Sequence, residues 1–477
     1  MAPATSQHMS ERLPLDPGPE QARELVERAL HLVTEHLDGL GERGIHPRRD
    51  ADELVTRLLA QRPGAPRSMS SALSTLGEVV AAGRETTTGG ELAYIPGSGL
   101  FTSAVADLLA STLNRYTGLP GIAPAAVALE GGVLRWLCES FDLPERAQAV
   151  LLSGGSMANL SALVAARERL GADGLARVYV GAQAHASVRK AARIAGLRAE
   201  QIRVCPSADG LRLDTEAVRL AIKDDVAAGW RPMAIVAAAG TTNAGAVDPL
   251  AELAELAAET GTWLHVDAAY GGFFQLTDAG RAALAGIERA DSITLDPHKS
   301  LFLPFGTGAL LVRDRADLQR AFAEDADYLR DLDADEALPD FSELSPELTR
   351  AWRGLRLWLP LQLHGVDAFV DALDHKLALA RRVWEHLAAD PRLRTWGPPD
   401  LSIVPFRAVG DDVLQDRLLE RINDSGVVRL SSTVIDGEVA LRLAVLSHRT
   451  SDTTVEQALA LIDSSLDELG VTPAADG

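Results

Sequence analysis

Four short strings in this 477-residue chain hold residue types that could do chemistry together. Ser153-Gly154-Gly155-Ser156 is a glycine turn at the start of a helical pattern. A helix N-terminus approached by glycines offers backbone N–H groups and the positive end of the helix dipole to an anion, most often a phosphate. A plain helix cap by Ser156 is the alternative. Gln183-Ala184-His185 ends a run holding Val178 and Val180, so His185 either lies flat on a heteroaromatic ring or simply closes a loop. Trp263-Leu264-His265-Val266-Asp267-Ala268-Ala269-Tyr270 delivers Asp267 to the end of an apolar strand. A carboxylate buried there is costly unless a cation pairs with it, either a protonated pyridine nitrogen or a Lys or Arg from elsewhere. His265 points to the opposite face from Val266 and reads as structural. In Asp296-Pro297-His298-Lys299, the proline stops the strand Ser292-Ile293-Thr294-Leu295 and leaves Lys299 at its end.

Alone, Lys299 reads as an ordinary surface lysine. A buried strand end, however, can supply the lowered pKa and fixed position that a Schiff-base lysine needs. Together the strings supply an anion cradle, an aromatic stacker, an acid for a ring nitrogen and an amine for an aldehyde, which are the requirements of pyridoxal 5'-phosphate.

The elements that must position these strings alternate. Strands are expected at Ala149 to Ser153, Arg177 to Val180, Ile202 to Pro206, Met233 to Ala239, Thr262 to Val266, Ser292 to Leu295 and Ala309 to Arg313. Helices are expected between them at Ser156 to Leu170, Ala186 to Ala195, Asp214 to Ala228 and Pro249 to Thr260. Near-continuous apolar strands alternating with helices imply an α/β fold with a mostly parallel seven-stranded sheet covered on both faces.

Before this domain, Pro19 to Leu40 and Arg49 to Gln61 carry helical spacing and read as an arm; Ala104 to Asn114 and Val127 to Phe141 are further helices. Between arm and domain lies an irregular Gly- and Thr-rich stretch from Thr86 to Gly99, a linker or a binding surface. Residues Glu324 to Glu343 are crowded with acids, either a solvated face or a mobile lid. A long helix is expected from Ser345 to about Asp390. Strands at Leu401 to Pro405 and Ala440 to Val445, around a helical Asp412 to Ile422, imply a small α+β domain. The expected divisions are 1–90 for the lead and arm, 91–378 for the large domain and 379–477 for the small one.

The formal net charge of -21 argues against nucleic acid and anionic membranes as partners. No run of about twenty apolar residues suggests a membrane span, and the polar N-terminus does not read as a secretory signal. Two cysteines far apart, Cys138 and Cys205, argue against a disulfide framework or a metal cluster and imply the reducing cytoplasm.

The order of the strings resembles the group II pyridoxal phosphate-dependent decarboxylases, the family of aromatic amino acid, histidine, glutamate and diaminobutyrate decarboxylases, which has the fold type I architecture. The matching strings are Ala93-Tyr94-Ile95-Pro96, Ser153-Gly154-Gly155-Ser156, Gln183-Ala184-His185-Ala186-Ser187-Val188, Gly240-Thr241-Thr242, His265-Val266-Asp267-Ala268-Ala269-Tyr270 and Asp296-Pro297-His298-Lys299. The resemblance implies that Lys299 holds the cofactor as a Schiff base and Asp267 pairs with the pyridinium nitrogen. It also implies that His185 stacks on the ring, Ala269 lies beneath it and Thr242 stands near its face or O3'. Gly155, Ser156 and His298 would contact the phosphate.

The same resemblance implies α-decarboxylation of an L-amino acid, with Tyr328 returning a proton to the α-carbon. Relatives with phenylalanine at that place tend towards aldehyde formation. Aldehyde formation and transamination are the alternative outcomes, and an inactive cofactor-binding scaffold is a non-enzymatic one. Animal aromatic decarboxylases carry aromatic residues where this chain has Thr86-Thr87, Ile95 and about Gly118, so Thr86, Tyr94, Ile95 and Pro96 are expected to line a roomier, more polar substrate pocket. A homodimer is expected, with the N-terminal helices as its interlocking arm.

Overall fold

The computed structural model describes residues 13–473 other than 41–44, 46–50, 63, 65, 172–173, 209–210 and 325–336. The N-terminal part is helical: α1 (Pro19–Asp38), α2 (Ala51–Ala60), α3 (Met69–Ala82), α4 (Phe101–Leu113) and α5 (Pro124–Ser140). None of α1, α2 and α3 buries a residue within this single chain, so their apolar stripes face outward.

The central sheet contains β1 (Gln148–Leu152), β2 (Ala176–Gly181), β3 (Ile202–Cys205), β4 (Arg231–Ala238), β5 (Trp263–Asp267), β6 (Ser292–Leu295) and β7 (Gly308–Val312). Its order is β1-β7-β6-β5-β4-β2-β3. The stretch from β6 to β3 is parallel, whereas β7 runs antiparallel to both β6 and β1. Every residue of β5, β6 and β7 is buried. β7 is accordingly apolar throughout, as a strand covered on both faces can be, whereas β5 and β6 bury the polar His265, Asp267, Ser292 and Thr294.

The covering helices include α6 (Gly155–Leu170), α7 (Ala186–Ile194), α8 (Thr215–Ala227) and α9 (Leu250–Thr260). Only Ser153 and Gly154 separate β1 from α6. Gly154 has φ of +156°, and a Cβ on Gly308 of β7 would fall 2.5 Å from the Gly154 Cα, so two glycines let strand and turn touch.

Three short helices, α10 (Asp278–Ala283), α11 (Pro297–Ser300) and α12 (Arg315–Phe322), complete the large domain. The long helix α13 (Gly354–Ala389) begins later than the sequence suggests and breaks at Gly365, whose φ is +73°. Polar tertiary contacts hold the residues before it instead: Arg350 Nη2 reaches Glu130 at 2.5 Å, and Arg353 Nη1 reaches Glu347 at 2.6 Å.

α13 serves both cores. Its Phe369 and Leu373 join the cluster around the large sheet, while Leu379, Ala380, Val383 and Leu387 join the smaller one.

The smaller unit is an antiparallel sheet of β8 (Leu393–Thr395), β9 (Ile403–Ala408), β10 (Ser431–Ile435) and β11 (Glu438–Ala444), in order β10-β11-β9-β8, with α14 (Asp412–Asp424) against it and α15 (Asp452–Glu468) packed on α14 and α13. The helices α3 and α15 and the strands β8 and β10 were not expected from sequence. Leu92 is buried in this smaller core: its N–H donates to Arg429 O at 2.9 Å and its carbonyl accepts from Ala444 N at 2.9 Å. The first residues of the segment expected to open the large domain are thus stitched to the C-terminal sheet.

Candidate active site

The four strings converge at the C-terminal ends of β2, β4, β5 and β6 and at the start of α6, where ligands bind in open α/β sheets. Asp267 is the last residue of β5 and is only 9% exposed. Its Oδ2 accepts from Asn159 Nδ2 at 2.9 Å and its Oδ1 from the Ala269 N–H at 3.2 Å. Two residues back on the same face, His265 is fully buried and lies between Ser292 Oγ (2.8 Å from Nδ1) and Asn159 Oδ1 (3.0 Å from Nε2). Burial lowers the pKa of His265 to about 4, which leaves it neutral.

His185 caps α7. Its Nδ1 accepts from the Ser187 N–H at 3.2 Å and lies 2.7 Å from Ser187 Oγ, while the ring stays exposed at the rim of the cavity. Asn159 Nδ2 also reaches Ser187 Oγ, at 3.1 Å. One buried amide therefore touches both the acid and the support of the imidazole.

Lys299 lies on α11, a single helical turn past β6. Proline at its first position sets the helical φ, and the Lys299 N–H donates to Asp296 O at 2.8 Å. Lys299 Nζ is 2.8 Å from Asp296 Oδ2, with a quarter of the side chain exposed. Asp296 itself is buried, and its Oδ1 accepts the Gly155 N–H at 2.6 Å. The first N–H of α6 is thus taken by a carboxylate of the chain itself, an arrangement the sequence did not suggest. A Cβ on Gly155 would meet Asp296 Oδ2 at 2.9 Å and Ala269 Cβ at 3.1 Å, so only glycine fits between them. His298 Nδ1 is 2.7 Å from Thr307 O; since a carbonyl only accepts, the ring proton is on Nδ1.

On the far side, Gly240-Thr241-Thr242 turns tightly after β4. Gly240 has φ of +93°, and a Cβ there would lie 2.5 Å from the Tyr270 ring. A cavity of about 300 Å³ lies between these walls, lined among others by Gly155, Ser156, His185, Thr242, Asp267, Ala269, His298 and Lys299. Every residue expected to hold the cofactor is therefore brought to one place.

The residues expected around the substrate are not. Thr86, Tyr94, Ile95 and Pro96 are absent from the lining of this cavity within the single chain. Tyr94, with φ of +56°, is 55% exposed; Arg442 Nη2 holds its carbonyl at 2.5 Å and Ser431 Oγ accepts its N–H at 3.0 Å. Tyr328 lies outside the described residues.

Asn159, Ser187 and Asp296 had no role assigned from sequence. Each left a trace: Asn159 is a polar residue on the buried Ala/Leu face of α6, Ser187 follows a histidine by two residues, and Asp296 immediately precedes the helix-starting proline. Among the described residues, no group of His, Cys, Asp and Glu is arranged to hold a metal ion, and no helix is long and apolar enough to cross a membrane.

Pyridoxal phosphate fits this donor set. The space suits one small ring, an amine and a buried carboxylate share it, and the 16-residue helix α6 aims its N-terminus at the lip beside a glycine that admits no side chain. Comparison with known proteins agrees. The pyridoxal-dependent decarboxylase conserved domain matches residues 61–409. An aromatic-L-amino-acid decarboxylase of Bacillus atrophaeus is 33% identical over 97% of this chain and 99% of its own length. An L-2,4-diaminobutyrate decarboxylase of Rhizobium meliloti (strain 1021) is 36% identical over 76% of this chain and 75% of its own. The crystal structure of Oryza sativa TDC with PLP and tryptamine superposes with a TM-score of 0.89 at 28% identity, covering 96% of this chain and 100% of that one. With the family model spanning most of its length and its lysine, acid and glycine turn gathered in one cavity, the chain belongs to the pyridoxal-dependent decarboxylases, carboxy-lyases that act on amino acids with pyridoxal phosphate as cofactor.

Proposed function

We propose that Lys299, Asp267, His185 and Tyr328 carry the α-decarboxylation of an L-amino acid to its amine and CO2 in this chain. The supporting observation is that Lys299 Nζ and the buried Asp267 carboxylate line the same cavity, each held by a fixed partner: Asp296 at 2.8 Å for the lysine and Asn159 at 2.9 Å for the acid. Pyridoxal phosphate, when bound, supplies a ring that takes up the electron pair left on the α-carbon as CO2 departs. Lys299 would hold its aldehyde, and Asp267 would keep the proton on its ring nitrogen. His185, Ala269 and Thr242 would hold the ring, and Gly155, Ser156 and His298 the phosphate. His298 already gives its Nδ1 proton to Thr307 O, which leaves Nε2 as the nitrogen for any further contact. Tyr328 would return a proton to the α-carbon, the step that yields amine rather than aldehyde.

Thr86, Tyr94, Ile95 and Pro96 would serve the substrate from across a subunit boundary, and we propose a homodimer. Val26, Leu30 and Val33 of α1, Val80 of α3, and Phe101 and Leu108 of α4 are exposed or half-exposed around an apolar groove of about 1050 Å³. A groove of that size and character calls for a second copy of the chain to cover it. A cytoplasmic setting is proposed as well, supported by the free thiols of Cys138 and Cys205.

The test is reconstitution with pyridoxal phosphate followed by a screen of amino acids, including non-proteinogenic ones, for amine and CO2. The wild type should show a visible absorption band that is absent in Lys299→Ala; a wild type that takes up no chromophore would defeat the assignment. Tyr328→Phe should shift product from amine towards aldehyde, and an unchanged ratio would remove Tyr328 from its role. Light scattering during size exclusion should give twice the chain mass, and a fully active monomer would refute the dimer.

A further inference from the structure

Beneath the proposed site runs a continuous chain of buried hydrogen bonds whose direction the Asp267 carboxylate fixes. A carboxylate only accepts, so the Asn159 atom 2.9 Å from Asp267 Oδ2 is the donor Nδ2, which also lies 3.1 Å from Ser187 Oγ. Asn159 Oδ1 therefore faces His265 Nε2 at 3.0 Å, and the proton of neutral His265 sits on that Nε2. His265 Nδ1 is left to accept from Ser292 Oγ, 2.8 Å away, while Ser292 Oγ accepts at 2.8 Å from Trp263 Nε1, which can only donate. Ser187 Oγ, accepting from the amide, has one hydrogen left, and it goes to His185 Nδ1 at 2.7 Å. The Ser187 N–H reaches the same ring nitrogen at 3.2 Å. Two donors on Nδ1 leave Nε2 as the only place for the proton of neutral His185.

Trp263, Ser292, His265, Asn159 and Ser187 are all less than 9% exposed, so water does not compete for the bonds among them, whereas the Ser187–His185 contact lies at the exposed rim. Asn159 is the branch point: a leucine or alanine there would satisfy the packing of α6 but would leave Asp267, Ser187 and His265 each short of a partner.

We propose that Asn159 is a positioning residue that couples two parts of the site, holding the Asp267 carboxylate and setting the Nε2–H tautomer of the buried His265, while it steadies the Ser187 hydroxyl on which His185 rests. Asn159 also lines the cavity, but its amide is spent on His265, Asp267 and Ser187. Its contribution is that one amide, oriented by the carboxylate it holds, aligns the acid proposed for the ring nitrogen with the support of the imidazole proposed for the ring face. The inference rests on those proposed roles of Asp267 and His185.

The experiment uses the full chain labelled with 15N-histidine, with and without added pyridoxal phosphate, and long-range 1H–15N correlation to read each ring's tautomer. His185→Gln and His265→Gln identify the two signals. In the wild type both rings should carry the proton on Nε2. Asn159→Ala removes the acceptor of His265 Nε2–H, so His265 should average over both tautomers, and pyridoxal phosphate should bind about 10-fold more weakly, the lower end of the loss seen when a partner supporting a metal ligand is removed. His185 should keep its proton on Nε2, since the Ser187 N–H still faces Nδ1. Ser187→Ala removes only the branch to His185, so it should leave the His265 tautomer unchanged with a smaller loss of affinity. If Asn159→Ala does not fold, Asn159→Leu, which keeps the volume, decides the matter. A wild-type His265 protonated on Nδ1 would overturn the proposal. So would weakened cofactor binding in Asn159→Ala with the His265 signal unmoved, since that pattern marks packing alone. A wild type that shows the expected tautomers yet binds no pyridoxal phosphate would instead overturn the site roles on which the proposal rests.

Discussion

Acidification from pH 7.5 to 4.5 is expected to weaken this fold through His265. Burial holds its pKa at about 4, against 6.5 for an ordinary histidine. In that window the unfolded chain binds a proton that the native chain refuses, so native stability is complete above pH 6.5 and is lost as the pH falls towards 4. At about 1.4 kcal/mol per pH unit, the full window is worth about 3 kcal/mol, of which about 2 kcal/mol is already gone at pH 5. His448 adds a contribution of the same sign, since burial, followed by the charges of Arg449 and Lys376, lowers its pKa to about 4. The two are separated by His265→Gln, whose amide can still donate to Asn159 but does not titrate. Urea unfolding of wild type and variant at pH 7.5, 6, 5 and 4.5 is the assay, read as the difference between the two chains so that all other titrating groups cancel. The wild type should lose about 2 kcal/mol relative to the variant between pH 7.5 and 5. Parallel stability curves would refute the claim that His265 is buried neutral.

Two further substitutions probe the frame of the site. Glu130→Gln leaves Arg350, whose side chain is 0% exposed, without its ion-pair partner; a loss of about 3–5 kcal/mol is expected in denaturant melts, with Glu130→Leu/Arg350→Met costing less than either single change. Gly240→Ala forces a side chain onto a φ of +93° and within 2.5 Å of the Tyr270 ring, so the turn bearing Thr242 should shift and pyridoxal phosphate should be lost faster on dialysis, while a retention time equal to wild type would count against the tightness of that wall.

The sequence by itself determined the alternation of strands and helices, and with it the α/β class, because those periodicities are local and a strand buried on both faces writes itself as an apolar run. It also placed Lys299, Asp267, His185 and Gly155 at strand ends or helix starts, since proline and glycine punctuate the chain locally. The same local reasoning missed the start of α13, where Arg350 and Arg353 spend their hydrogen bonds on Glu130 and Glu347 rather than on a helix surface. Only the tertiary structure decided the partners. His265 meets Ser292 because the β5–β6 register sets those two residues side by side. Asn159 reaches His265 across 106 residues, and Gly155 reaches Asp296 across 141. Such contacts depend on register and on how α6 crosses the sheet, and a one-residue slip would turn each side chain to the opposite face. The placing of Thr86, Tyr94, Ile95 and Pro96 away from the cavity is likewise a matter of how the N-terminal segment is stitched to the C-terminal sheet, through backbone hydrogen bonds that any side chain could accompany and that therefore leave no mark in residue type.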